Sequence, residues 1–76
     1  EVMRKVEISK EPVELYKILK FEGLVSSGGE AKSVIDDGHV LLNGAVETQR
    51  RKKIVSGDTI EFMDEKLTIV LAGSVE

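Results

Sequence analysis

Cysteine is absent from the chain, which removes disulfide staples, thiolate metal ligands and a cysteine nucleophile together. Histidine occurs once, so zinc would depend on His39 and carboxylates, a poor structural set. No apolar run approaches the ~20 residues of a membrane span, and no signal-peptide pattern opens the sequence. Aromatic residues are few: Tyr16, Phe21 and Phe62 are the whole set, and each is placed in the core. What remains is an ordinary globular mixture, 41% apolar and 33% charged, too apolar for a disordered chain. It suits a cytoplasmic protein. The first residue is Glu1 rather than methionine, as in a trimmed chain. The 76 residues leave room for one domain, 1–76, of modest stability, since a chain this short buries only roughly 60% of its unfolded surface.

The net charge of −3 argues against a generally basic nucleic-acid binder. Its distribution says more. Residues 1–56 carry ten Lys/Arg against nine Asp/Glu, and residues 57–76 carry one against five. Arg50, Arg51, Lys52 and Lys53 form the only dense block of one sign. A local basic patch decides where an anion docks, whatever the total.

Val2, Arg4, Val6 and Ile8 alternate with Met3, Lys5 and Glu7, which predicts a strand. Pro12 reads as a first-turn helix residue. Leu15, Ile18 and Leu19 continue that helix over 12–22, and Gly23 stands where a left-handed cap belongs. Ser27 to Glu30 fits the capping box of a second helix, about 28–37, with Gly38 after it. Val40 to Leu42 is strand-like, and Asn43-Gly44 is the preferred pair of a two-residue hairpin turn leading into Ala45-Val46. The basic run 47–53 is expected as loop or exposed edge. Ser56-Gly57-Asp58 marks a turn, Thr59 to Phe62 a strand, Asp64 to Lys66 a turn, Leu67 to Leu71 a last strand, and 72–76 a frayed tail. The fold class is α+β: two short packed helices against a small antiparallel sheet.

Catalytic residues do not emerge. His39 stands at a helix-to-strand junction with no serine at a nucleophile elbow. Asp36 and Asp37 lack a third metal ligand nearby and read as solvated surface. Ser27-Gly28-Gly29 opens a helix, so it can be a tight interhelical turn or can bring amides close to one phosphate, and the two readings are compatible. Arg50 to Lys53 can be a solvated loop guarding a sheet edge or a grip on phosphates. Lys32 adds a cation on the second helix, and Lys17 and Lys20 add two on one face of the first. With the aromatics assigned to the core, contact with phosphates and RNA shape is favoured over base stacking.

In order and spacing, Leu24 to Lys32, Ile35, Gly38 to Gly44, Ile54 and Gly57 to Ile60 resemble the S-four-type RNA-binding domain, over about residues 12–62. The small stand-alone bacterial type is most similar, its Ser-Gly-Gly-x-Ala-Lys segment matching Ser27 to Lys32. This resemblance implies two helices on a curved sheet, the alpha-L motif, with RNA along the second helix and nearby loops. It carries RNA contact onto Ser27, Lys32, Asn43 with Gly44, and Arg50 to Lys53. Many members have arginine after the serine, where this chain has Gly28.

The resulting expectation is a non-enzymatic module that grips structured ribosomal or transfer RNA. Its contacts would be Lys20, Ser27, Gly28, Gly29, Lys32, His39, Asn43, Arg50, Arg51, Lys52 and Lys53. If the 47–53 segment folds beside Lys32, the two make one cationic cleft. No cofactor, metal, membrane or small-molecule substrate is implied. The alternative is a protein–protein adaptor that kept the fold but lost strong RNA affinity, for which a partner protein remains open.

Overall fold

The computed structural model describes residues 2–72. Its main sheet has five strands in the order β1-β7-β6-β3-β4: β1 is Val2–Ile8, β3 Val40–Leu42, β4 Ala45–Val46, β6 Thr59–Phe62 and β7 Glu65–Leu71. A second, two-residue ladder joins β2, Val13–Glu14, to β5, Lys53–Ile54. Helices α1, Leu15–Phe21, and α2, Gly28–Asp36, pack on the sheet through Leu15, Ile18, Leu19, Ala31 and Ile35. These meet Val6, Val40, Ile54, Ile60, Leu67 and Ile69 in one buried cluster. The class is α+β, as expected.

The sheet is mixed rather than wholly antiparallel. Strands β7, β6, β3 and β4 pair antiparallel, but β1 lies parallel to β7, with Val6 opposite Ile69. Antiparallel pairing is easiest through a tight hairpin, whereas a parallel partner needs a long crossover. Between Ile8 and its partner strand lie both helices and the other strands of the sheet, a connection long enough for parallel pairing. Arg4 then ties this edge to the helices: its guanidinium donates to the Glu22 carbonyl at 3.1 Å and pairs with the Glu65 carboxylate.

The first helix begins three residues later than the sequence suggests. Pro12 is not in its first turn, because Val13 and Glu14 are extended and pair with Ile54 and Lys53. Local propensity yields here to a tertiary ladder. The 47–53 segment is accordingly not all loop, since Lys53 belongs to β5. The last hairpin turns at Met63-Asp64, with Met63 at φ 58, so β7 starts at Glu65 instead of Leu67. Ala72 donates its amide to the Ile8 carbonyl at 2.7 Å; the remainder of the expected tail, 73–76, lies outside the described residues.

Both helices stop in the same way. Gly23 donates to the Lys20 carbonyl and Leu24 to Leu19; Gly38 donates to Ile35 and His39 to Val34. This is the paired 5→2 and 6→1 bonding of a Schellman end, which places the residue after the cap in left-handed backbone. Gly23 at φ 74 and Gly38 at φ 80 supply it without a Cβ penalty.

Candidate nucleic-acid interface

The basic run is pinned to α1 through its backbone. The Leu15 amide donates to the Lys52 carbonyl at 3.0 Å, and the Tyr16 amide to the Arg50 carbonyl at 3.2 Å. A helix start leaves amides with no partner inside the helix. At α1 the side chain of Glu14 makes no cap, and the carbonyls of the basic run take that place. One residue further, the fully buried Ile54 anchors β5 in the core. The cations of 50–53 therefore ride on a held backbone.

Tyr16 links this run to α2. Its ring lies beneath the Lys32 ammonium, 4.9 Å from centroid to nitrogen, a cation–π geometry. A Cβ added at Gly28 would lie 4.0 Å from the same ring. Gly28, Lys32 and Asp36 are spaced by four along α2 and share one face. At the far end of that face Asp36 receives Arg50: Nε to Oδ1 is 3.0 Å and Nη2 to Oδ2 is 2.9 Å, a two-point fork. The Asp36 hydrogen bond, and then its charge, raise the Arg50 pKa above the ordinary value. Of the 50–53 segment, Arg50 is thus brought to the α2 face that carries Lys32, with Tyr16 and Asp36 as the connecting residues.

The expected contact residues divide by what already holds them. Lys20, Arg51, Lys52 and Lys53 meet no carboxylate among the described residues, and Lys20, Arg51 and Lys53 are exposed. Arg50 is spent partly on Asp36. Ser27 caps α2, its Oγ accepting from the Glu30 amide at 3.1 Å. Glu30 reaches back to Ser26 rather than to the capping serine, taking its amide at 2.8 Å and its hydroxyl at 2.6 Å. The Ser26 hydroxyl, then the Ser26 amide, lower the Glu30 pKa. A carboxylate thus sits at the α2 N-terminus, beside Gly28 and Gly29, where a phosphate would dock. Asn43 is engaged in the fold: Oδ1 accepts the Thr59 amide at 2.9 Å and Nδ2 donates to Asp58 at 3.2 Å. Its φ of 54, followed by Gly44 at φ 88, gives the expected hairpin turn. His39 is exposed just after α2. Among the described residues no group of three His, Cys, Asp or Glu could hold a metal ion, and no helix is long and apolar enough to cross a membrane.

Sequence reasoning missed Tyr16, Asp36 and Phe21. Tyr16 is half-buried, and Phe21 is 70% exposed; only Phe62 of the three aromatics is a buried core residue. For Phe21 a signal was available. The buried stripe of α1 is Leu15, Ile18 and Leu19, and helical spacing puts Phe21 off it, one turn beyond Lys17. For Asp36 there was none, because its partner lies fourteen residues away in the chain.

Two helices packed on a mixed sheet give the α+β architecture of the alpha-L class of fold. A family model described as S4 domain matches residues 6–70, and the chain belongs to this family. It is 45% identical over 64 residues to an Escherichia coli protein named "Putative RNA-binding protein YbcJ", a match spanning 83% of this chain and 91% of that protein. A Bacillus subtilis protein named "Probable ribosome maturation protein RlbA" is 32% identical over 57 residues, 75% of this chain and 80% of its own length. The solution structure of YbcJ from E. coli superposes with a TM-score of 0.70 at 42% identity, covering 92% of this chain and 90% of that one, and is described as revealing an "ALFAL motif" involved in RNA binding. The small bacterial type is therefore the one this chain resembles, in sequence and in fold.

Proposed function

We propose that the protein is a non-enzymatic RNA-binding module that grips structured RNA, ribosomal or transfer RNA, through phosphate and shape contacts. The observation that carries this reading is the capping of Leu15 and Tyr16 by the carbonyls of Lys52 and Arg50. It fixes the backbone of a run of cations across the start of α1, and three of its four members meet no carboxylate among the described residues. Fixed cations lose less entropy on gripping a phosphate than cations on a loose loop. The names of YbcJ and RlbA support an RNA role, in the second case one linked to ribosome maturation.

Because Asp36 offsets Arg50 and Glu30 occupies the α2 N-terminus, affinity rests mainly on Lys32, Arg51, Lys52 and Lys53. Such contacts read backbone and groove shape more than sequence. The test is binding of a looped, structured RNA against salt, for wild type and for a variant with residues 50–53 all changed to glutamine. For about four phosphate contacts, affinity should fall roughly 10- to 100-fold between about 50 and 200 mM salt. The variant should lose both affinity and most of that slope. Absence of RNA binding by the wild type at low salt overturns the reading and leaves the adaptor alternative.

A further inference from the structure

A groove of about 450 Å³ opens on the flank of α1, and no residue of α2 lines it. Its lining includes three lysines from three separate segments: Lys10 before β2, Lys17 on α1 and Lys53 on β5. Phe21 and Pro12 are among the lining residues and add apolar surface. Glu14 is the one carboxylate in the lining, 3.7 Å from the Lys17 nitrogen, an exposed pair too weak to neutralise the groove.

The exposed Phe21 is not explained by packing. It lies one turn beyond Lys17 on α1, and both line the groove. A flat aromatic face with several cations around it is the recognition set for a nucleotide: the base stacks and the phosphate meets the ammoniums. The volume lies within the range of small-ligand clefts. The groove is also continuous with the basic run, since Lys53 follows Lys52, whose carbonyl caps Leu15. Lys53 therefore serves this flank while Arg50 serves α2.

We infer that this groove takes an unpaired nucleotide of the bound RNA, its base stacked on Phe21 and its phosphate held by Lys10, Lys17 and Lys53. The inference rests on the RNA reading above and adds single-stranded character to the target. A paired stem lies against the α2 face, and an unpaired residue next to it crosses the basic run into the groove.

The experiment compares two RNA probes, a fully paired hairpin and the same hairpin with a short unpaired adenosine extension. Dissociation constants are measured for wild type, Phe21→Leu and Phe21→Tyr. Leucine keeps an apolar side chain but cannot stack, and an exposed site tolerates the change. The wild type should prefer the extended RNA by about tenfold, the usual order for one stacked base. Phe21→Leu should remove the stacking share and lower that preference several-fold, leaving what the three lysines hold, with stem affinity unchanged, and Phe21→Tyr should retain the full preference. Equal binding of the two RNAs by the wild type, or a preference undiminished in Phe21→Leu, overturns the groove alone. Failure to bind either probe overturns the RNA reading and this inference with it.

Discussion

The two helices end alike and begin differently. Each stops at a glycine in left-handed backbone, with the same pair of carbonyls satisfied. At its start α2 is self-sufficient: Ser27 accepts from Glu30, and Glu30 accepts from Ser26. By contrast, α1 has no side-chain cap and no acidic residue in its first turn, and its amides are satisfied by Arg50 and Lys52 from a distant segment. A locally capped helix folds by its own neighbours. A helix capped from afar couples its own formation to the placement of the segment that caps it. Here that segment holds the cations, so the stability of α1 and the geometry of the proposed interface are one property.

The largest effect should come from breaking the distant cap. Ile54 is fully buried and fixes β5, and through it the carbonyls that meet α1. Ile54→Ala should cost about 2–5 kcal/mol by urea unfolding, the usual range for truncating a buried isoleucine. RNA affinity should fall as well under conditions where the variant remains folded, because the cations lose their common frame. If stability drops but affinity per folded molecule is unchanged, the basic run binds as a loose loop and the coupling is absent.

A smaller effect sharpens the contrast between the two starts. Ser27→Ala should cost about 1 kcal/mol, the usual cost of removing a serine cap. At the equivalent position of α1, Glu14→Ala removes no cap and should stay within about 0.5 kcal/mol. The pair is read by thermal or urea unfolding of the two variants side by side. Equal losses would mean that the caps do not divide as their hydrogen bonds do.

The same division explains what was legible in the sequence. Ser27 with Glu30, and Asn43 with Gly44, act on neighbours within three residues, so their spacing alone places the α2 start and the hairpin. Pro12 misleads at α1 because the deciding partners are Ile54 and Lys53, some forty residues on. The parallel β1–β7 pair joins the two ends of the described chain and has no local mark either. At the β6–β7 turn the left-handed residue is Met63, not a glycine, so the boundary shifts unannounced. At the site, the run Arg50 to Lys53 is plain in the sequence, but its division is not: Arg50 goes to Asp36, and Lys53 to a groove beside Phe21. The helical phase of Phe21 sets it off the buried stripe of Leu15, Ile18 and Leu19, whereas residue type alone points to the core.

The smallest effect is one of pH, and it belongs to α2 only. The Ser26 hydroxyl and amide both donate to the Glu30 carboxylate and hold its pKa below the ordinary carboxylate value. A folded-state pKa below the unfolded one means that the unfolded chain binds the proton first as acid is added. The contribution of Glu30 is therefore complete above the ordinary carboxylate value. It is lost as pH falls through that value and on through the folded-state pKa. Glu30→Gln keeps a hydrogen-bond acceptor but carries no charge at any pH. The melting temperature of wild type should exceed that of Glu30→Gln at neutral pH, and the gap should close in acid, where Glu30 is itself neutral. Glu11, whose pKa is lowered by Ser56, titrates in the same region, but it is common to both proteins and cancels in the difference. A gap that stays constant from neutral pH into acid would assign the role of Glu30 to the shape of its side chain rather than its charge.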